Sequence, residues 1–325
     1  MRPGPDGGPG RLFPHVRGGA LSVVVIGSIN CDVITYAERA PRPGESLTGD
    51  RYIMVQGGKG ANQAIATRRL GAAVCYIGRI GSDPFGDFVT ANLVRNGLAT
   101  DHLHVDAAQS TGIAVIGIDA RGENAITVIP GANRFVDEAQ IAAARPQLSA
   151  AKVLLTQLET PLAPSLAAAR LVRSHGGLAV LDPAPVPPVR LTGEELSAFD
   201  ITTPNEIETE ALVGILPVDL EAARAAAQRI NALGIATAIV KMGGRGVYVR
   251  SNDIDLHVPP FPIVPVDTLA AGDCFNGGLA FALANGRPLI EAVRFAAACG
   301  ALACTRRGAS DAAPTAGEVF QLIGA

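Results

Sequence analysis

The chain has 325 residues, 48% of them apolar, and a mean hydropathy of +0.28. That suffices for one large α/β domain or two small ones with a sizeable buried core, and it excludes global disorder. A net charge of −3, from 27 basic and 30 acidic residues with no basic block, argues against nucleic acid as a partner.

The five cysteines, at 31, 75, 274, 299 and 304, form no CxxC pair, so neither a zinc site nor a disulfide framework is signalled. No apolar run reaches the roughly 18 residues of a membrane span. A reduced cytoplasm is the expected setting. Residues 1–20, rich in Gly, Pro and Arg, lack the apolar stretch of a secretory signal and read as a disordered tail, or as the product of an upstream start codon, ahead of one α/β domain over 21–325.

In chain order, SVVVIG (22–27) is a β-branched run ending in Gly, the mark of a buried strand. The segments 73–81, 151–159, 177–185 and 237–249 read as strands in the same way. Between them, helical spacing marks 60–70, 84–96, 161–174, 205–213, 220–233, 272–285, 289–304 and 315–323. This alternation predicts a doubly wound, mostly parallel sheet with helices on both faces. Segments 33–56 and 111–129 instead show short alternating runs, such as GIAVIGID and NAITVIP. They predict a small antiparallel lid sheet whose apolar face covers a ligand cleft or a partner subunit.

Several motifs fall at predicted strand ends or helix starts, the edge where open α/β sheets bind ligands. GSINCD (27–32) ends the first strand and delivers Asn30 and Asp32, which suit adjacent hydroxyls or an Asx-turn. GGKGANQA (57–64) is a Gly-rich turn into a helix carrying Lys59 and Asn62, without P-loop spacing. QLE (157–159) places Glu159 at a strand end, and TPNE opens a helix with Asn205 and Glu208; both also suit helix capping. KMGGRG (241–246) is a hairpin turn or a nucleotide-facing loop.

DTLAAGDCFNGG (267–278) sets Leu269, Ala270, Ala271 and Gly272 as a small-residue turn into a helix N-terminus. Free N–H groups and the positive dipole end collect there and favour an anion such as phosphate. Asp273 is either a helix cap or a base that takes a proton from a hydroxyl attacking phosphorus.

Taken together, GSINCD, GGKGANQA, QLE, TPNE and DTLAAGD resemble the ribokinase (PfkB) family of carbohydrate kinases, in family order over about 22–314. Each motif is weak alone; the ordered set is highly specific. The resemblance implies phosphoryl transfer from Mg–ATP to the primary hydroxyl of D-ribose. It makes Asp273 the catalytic base and the backbone of Ala270, Ala271, Gly272 and Asp273 the anion hole. It assigns sugar contacts to Asn30, Asp32, Gly57, Gly58, Lys59, Gly60, Asn62, Glu159 and Asp273. Nucleotide contacts fall to Asn205, Lys241, Met242, Gly243, Gly244, Arg245, Gly246, Ala271, Gly272 and Ala297, with Glu208 associated with Mg²⁺ and phosphate. An activating K⁺ is assigned to Asp267 and carbonyls of Leu269, Ala303, Arg306 and Gly308. The family's lid also joins two subunits, which implies a homodimer.

The chain departs from that pattern at Lys241, where threonine is frequent, at Ala297, where a bulkier residue is usual, and at Ala312, where serine often completes the cation shell. A deoxyribose or nucleoside kinase would keep Asp273 and the anion hole but change the pocket. A catalytically silent sugar-binding regulator would have no need of an intact Asp273 turn. A dehydrogenase is excluded because G-x-G-x-x-G does not follow the first strand.

Overall fold

The structure, a computed structural model, describes residues 23–187 and 189–324. The segment read as an N-terminal tail lies outside them. Thirteen strands are present among the described residues: β1 (Val23–Ile26), β2 (Asn30–Tyr36), β3 (Arg51–Gly57), β4 (Val74–Gly81), β5 (Leu103–Asp106), β6 (Gly112–Ile118), β7 (Asn124–Ile129), β8 (Val153–Thr156), β9 (Leu178–Leu181), β10 (Ile201–Thr202), β11 (Thr237–Lys241), β12 (Val247–Arg250) and β13 (Asp255–Val258). The helices are α1 (Lys59–Arg69), α2 (Pro84–Arg95), α3 (Glu138–Ala143), α4 (Arg145–Ala150), α5 (Leu162–Ser174), α6 (Gly193–Leu196), α7 (Glu206–Val213), α8 (Leu220–Ala232), α9 (Ala271–Ala284), α10 (Leu289–Cys304) and α11 (Ala316–Ile323).

Nine strands form the main sheet in the order β13-β12-β11-β10-β9-β8-β1-β4-β5. Every pairing from β11 to β5 is parallel, and only the β11/β12 and β12/β13 pairings at one edge are antiparallel. Apolar side chains on both faces of β1 explain the continuous VVVI run. Val23 and Val25 pack into a core with Ile65 of α1, Leu279 of α9 and Ala296 of α10, while Val24 and Ile26 pack with Ala168 of α5 and Ala226 of α8. This is the doubly wound architecture the alternation predicts.

The remaining four strands form a separate sheet, ordered β3-β2-β6-β7. Its outer pairs are antiparallel, while the central β2/β6 pair is parallel. One sequence expectation shifts here. β1 stops at Ile26, so Asn30 and Asp32 are not delivered by its end; they stand on β2, the first lid strand. At the edge of the main sheet β13 ends at Val258, where Pro259 and Pro260 have no N–H to donate to a ladder. The short helices α3, α4 and α6, and the 3-10 turn Gly131–Phe135, carry too few periodic positions to stand out in the sequence.

Small residues set the spacing of the helices that carry the motifs. A β-carbon on Gly277 of α9 would stand 2.7 Å from that of Ala66 on α1, so only glycine permits this approach. The close contact lets side chains of α1 reach the first turn of α9.

Candidate active site

Glu159, Asp182, Asn205 and Lys241 lie at or just beyond the carboxyl ends of β8, β9, β10 and β11. The N-termini of α1 and α9 face the same edge, joined through Asn62, Gln63 and Asp273.

Asp273 is the third residue of α9 and is buried. It is not the cap: the N-cap is Ala270, in the left-handed region (φ 55°), and no side chain caps this end. A non-glycine residue in that conformation is strained, and such strain concentrates where function requires a fixed backbone. The first N–H groups of α9 therefore remain open to an anion.

The Asp273 carboxylate turns instead toward α1. Asn62 Nδ2 donates to its Oδ2 (3.0 Å) and Gln63 Nε2 to its Oδ1 (3.1 Å). Burial pushes the carboxyl up to about 6; Lys59 pulls it down, Asp182 raises it, and the Asn62 and Gln63 bonds lower it. A carboxylate of that basicity remains ionised at neutral pH yet accepts a proton readily. Burial alone would lower the Lys59 ammonium, but Asp273, Asp182, Glu159 and Glu208 together hold it above the ordinary lysine value.

The sugar-side residues converge here. Gly58 adopts φ 86°, and a β-carbon on it would stand 2.8 Å from Ile29 Cα, so the turn demands glycine. Gly60 packs on Gly27 equally closely, and a β-carbon on Gly57 would overlap the Asp32 carboxylate. Glu159 accepts from the Lys59 backbone N–H (3.0 Å) and, through a short bond, from the Ser28 hydroxyl. Burial and then the neighbouring Glu159 charge push the Asp32 carboxyl up to about 7. Asn30 Oδ1 accepts from Asn133 Nδ2 at 2.8 Å. Asn62 Oδ1 is buried without a partner while its amide nitrogen is committed to Asp273. This leaves one acceptor free for a hydroxyl beside the base.

On the nucleotide side, Asn205 and Glu208 form a complete capping box on α7, with Glu208 N donating to Asn205 Oδ1 (2.9 Å) and Asn205 N to Glu208 Oε2 (2.8 Å). Glu208 is nevertheless buried; burial raises its carboxyl, and Lys241, Asp182 and Lys59 lie within electrostatic reach. The 241–246 loop joins β11 to β12 through a 3-10 turn, Gly243–Arg245. Met242 is buried in the core, and its backbone N–H and carbonyl are both used within the loop, donating to the Gly246 carbonyl (2.9 Å) and accepting from Arg245 N (3.0 Å). Arg245 is committed to Glu206 (3.3 Å) and to the Val218 carbonyl rather than held free. A cavity of about 470 Å³ lies beside this loop, lined by residues including Leu256, Pro260, Phe261, Ile290 and Arg294, on α10 one and two turns before Ala297.

Asp267 accepts from the N–H groups of Leu269 (3.0 Å) and Gly308 (3.3 Å), tying together the two segments expected to supply cation carbonyls. Ala303 and Ala312 pack with Cys274 beneath α9. Arg306 pairs with Glu318, which leaves only its carbonyl for that role.

Sequence reasoning passed over Gln63, Gln157 and Asp182. Gln63 Nε2 bridges Asp273 and Asp182 Oδ2 (2.9 Å), and its Oε1 accepts from Gln157 Nε2 (2.7 Å). Asp182 also pairs with Lys241 Nζ at 3.2 Å. Asp182 was open to the strand-end rule that singled out Glu159. Gln63, on an alanine-rich helix, carried no such signal.

Comparison with known proteins agrees with this geometry. Residues 20–316 match the pfkB family carbohydrate kinases. This chain belongs to that family. It is 38% identical to the ribokinase of Haemophilus influenzae over 93% of this chain and 98% of that one. It is 33% identical to a deoxyribokinase of Salmonella typhimurium, over 91% and 96% of the two chains. The Arabidopsis thaliana ribokinase complexed with ribose and ATP superposes with a TM-score of 0.88 at 29% identity, covering 94% of this chain and 99% of that one. No helix among the described residues is long and apolar enough to cross a membrane.

Proposed function

We propose that this chain transfers the γ-phosphoryl group of Mg–ATP to the primary (5-) hydroxyl of D-ribose. The observation that carries the reading is the buried Asp273 carboxylate, poised near 6, on the first turn of an uncapped helix. Asp273 takes the proton of the sugar hydroxyl as its oxygen bonds to the γ-phosphorus. The bond from that phosphorus to the β,γ-bridging oxygen breaks, and its electron pair leaves with ADP. The open N–H groups of the α9 turn hold the phosphoryl oxygens during transfer. Lys59 keeps Asp273 ionised by its charge. Asn30, Asp32, Asn62 and Glu159 hold the sugar hydroxyls. The 241–246 loop, Asn205 and Glu208 hold Mg–ATP, with the cavity beside the loop taking the base.

The lid sheet closes over the sugar and joins a second copy. A K⁺ ion fits a donor set of one carboxylate, Asp267, and carbonyls of the two segments it ties together, as oxygen donors suit a hard cation. When bound it supplies positive charge near the anion-hole turn.

The choice of ribose over 2-deoxyribose rests on Asp32 and Asn30, because a site built for a hydroxyl pair leaves buried groups unpaired when one is missing. Purified protein with Mg–ATP and K⁺, assayed for ADP release with ribose, 2-deoxyribose, fructose and adenosine, tests this. Ribose is expected to give the highest kcat/KM. Equal efficiency with 2-deoxyribose, or preference for adenosine, overturns it.

A further inference from the structure

The ion pair between Lys241 and Asp182 lies beside the anion-hole turn, with Asp182 linked to the Asp273 base through Gln63. Both side chains are nearly buried, at 13% and 3% exposure. Lys241 Nζ lies 3.5 Å from where a β-carbon on Gly272 would stand, and 5.9 Å from the centre of the Phe275 ring. It thus sits directly against the first turn of α9. An ammonium carries three donors. One is given to Asp182 Oδ1, leaving donors at Gly272 that no protein acceptor takes. Asp182 keeps a second holder, since Gln63 Nε2 binds its Oδ2. Lys241 can therefore turn from Asp182 without stranding a buried carboxylate.

The charge balance of the site gives this amine a task. Asp273, Asp182, Glu159 and Glu208 act together on Lys59 and oppose an incoming polyphosphate. Arg245 in the neighbouring loop is committed to Glu206 and the Val218 carbonyl. At 241, where the family resemblance leads one to expect threonine, this chain carries a cation.

We propose that Lys241 is a phosphate-binding catalytic residue here, held by Asp182 in the free enzyme and turned to the transferring phosphoryl group when nucleotide binds. The inference rests on the kinase reading above. Its added content is that an ammonium, rather than a neutral hydroxyl, neutralises phosphate charge at the α9 turn, and that Asp182 holds it in place until nucleotide arrives.

A paired-variant experiment separates this from a purely structural ion pair. Lys241→Met is expected to lower kcat by about 10²–10³, the scale for losing one donor to a developing oxyanion, to weaken ATP binding, and to leave ribose affinity within about twofold. Asp182→Asn combined with Lys241→Met removes both charges and should recover thermal stability but not kcat. Lys241→Arg should recover part of kcat. Full recovery of kcat in the double variant would overturn the proposal, because the lysine would then serve only to neutralise Asp182. Failure of the wild type to phosphorylate ribose would count against the sugar assignment instead. ATP binding measured by calorimetry without sugar would still decide the role of Lys241: equal affinity in wild type and Lys241→Met would sink it.

Discussion

Gln63 holds Asp273 through an amide nitrogen that it shares with a second buried carboxylate, donating to Asp273 Oδ1 at 3.1 Å and to Asp182 Oδ2 at 2.9 Å. Gln157 fixes the other end of the same amide (2.7 Å), which sets its orientation. Gln63→Met keeps the length of the side chain and removes both donations. Asp273 and Asp182 each lose one partner while keeping Asn62 and Lys241, and Gln157 Nε2 loses its acceptor, at about 1–3 kcal/mol for a group left unsatisfied. The variant should unfold at a clearly lower denaturant midpoint. Losing a bond that lowers the Asp273 carboxyl should also move the acid limb of kcat/KM to higher pH. An unchanged limb would mean that Gln63 is packing alone.

The pH dependence of the wild type follows from two carboxyls. Asp273 is pushed up to about 6 and Asp32 to about 7, in both cases first by burial. The base must be ionised to act, so kcat/KM should fall as pH drops through this range. Asp32→Asn should leave a single step near 6. The folded chain binds these protons more tightly than the unfolded chain, where aspartate titrates near 3.9. Their contribution to stability is thus fully present below that value and is lost as pH rises through about 6 and 7. Acid should not destabilise the fold through these two groups, and a titration by chemical denaturation between pH 5 and 8 of wild type against Asp32→Asn checks the sign.

Much of this organisation was legible in the sequence because the fold places chemistry at strand ends. Glu159, Asn205 and Lys241 stand where that rule puts them. Asp32 broke the rule, because the chain turns through the buried Ser28 and Ile29 and begins a lid strand at Asn30. The Asn205–Glu208 motif proved to be both things at once, a complete capping box and a buried acid beside Lys241 and Asp182. What the sequence withheld was the network of Gln63, Gln157 and Asp182. It depends on α1 and α9 meeting at Gly277 and Ala66, a contact between residues about 210 apart in sequence that no local pattern encodes.

The lid register aligns Ile53, Ile34, Ile116 and Ile126 across the four strands, on the same face as Asp32. Ile53 and Ile126 are 41% and 54% exposed. A second copy of this sheet is the cover proposed for the row. Light scattering at micromolar concentration should give twice the 33.3 kDa chain mass. Ile126→Arg should give the single mass and a higher ribose KM. A wild-type monomer would exclude the lid as a dimer contact.

Asp267 ties the turn before α9 to Gly308 by two backbone bonds. Activity should rise when K⁺ replaces Na⁺ or a bulky organic cation, and Asp267→Ala should abolish that response. Asp267→Asn, which keeps one acceptor for the backbone but removes the charge, should lose most of the K⁺ response with a smaller stability loss. A full K⁺ response in both variants would place the ion elsewhere.

Asp273→Asn bears on the role of the residue itself. Ala270 is the N-cap, so the substitution does not touch the capping of α9. It does set an amide N–H₂ against the donors of Asn62 or Gln63, and it removes the partner charge of Lys59. Some loss of stability is therefore expected and cannot by itself identify a base. The rate and its pH dependence can. Removing a general base costs about 10²–10⁴ in kcat, while positioning and electrostatics at the α9 turn should leave a measurable residue of activity. If Asp273 is the group that ionises near 6, the residual rate of the Asn variant should lose that step while ribose still binds. A slow variant that keeps the step near 6 would assign the step to another carboxyl. A variant with near-normal kcat would reduce Asp273 to the buried link between α1 and α9.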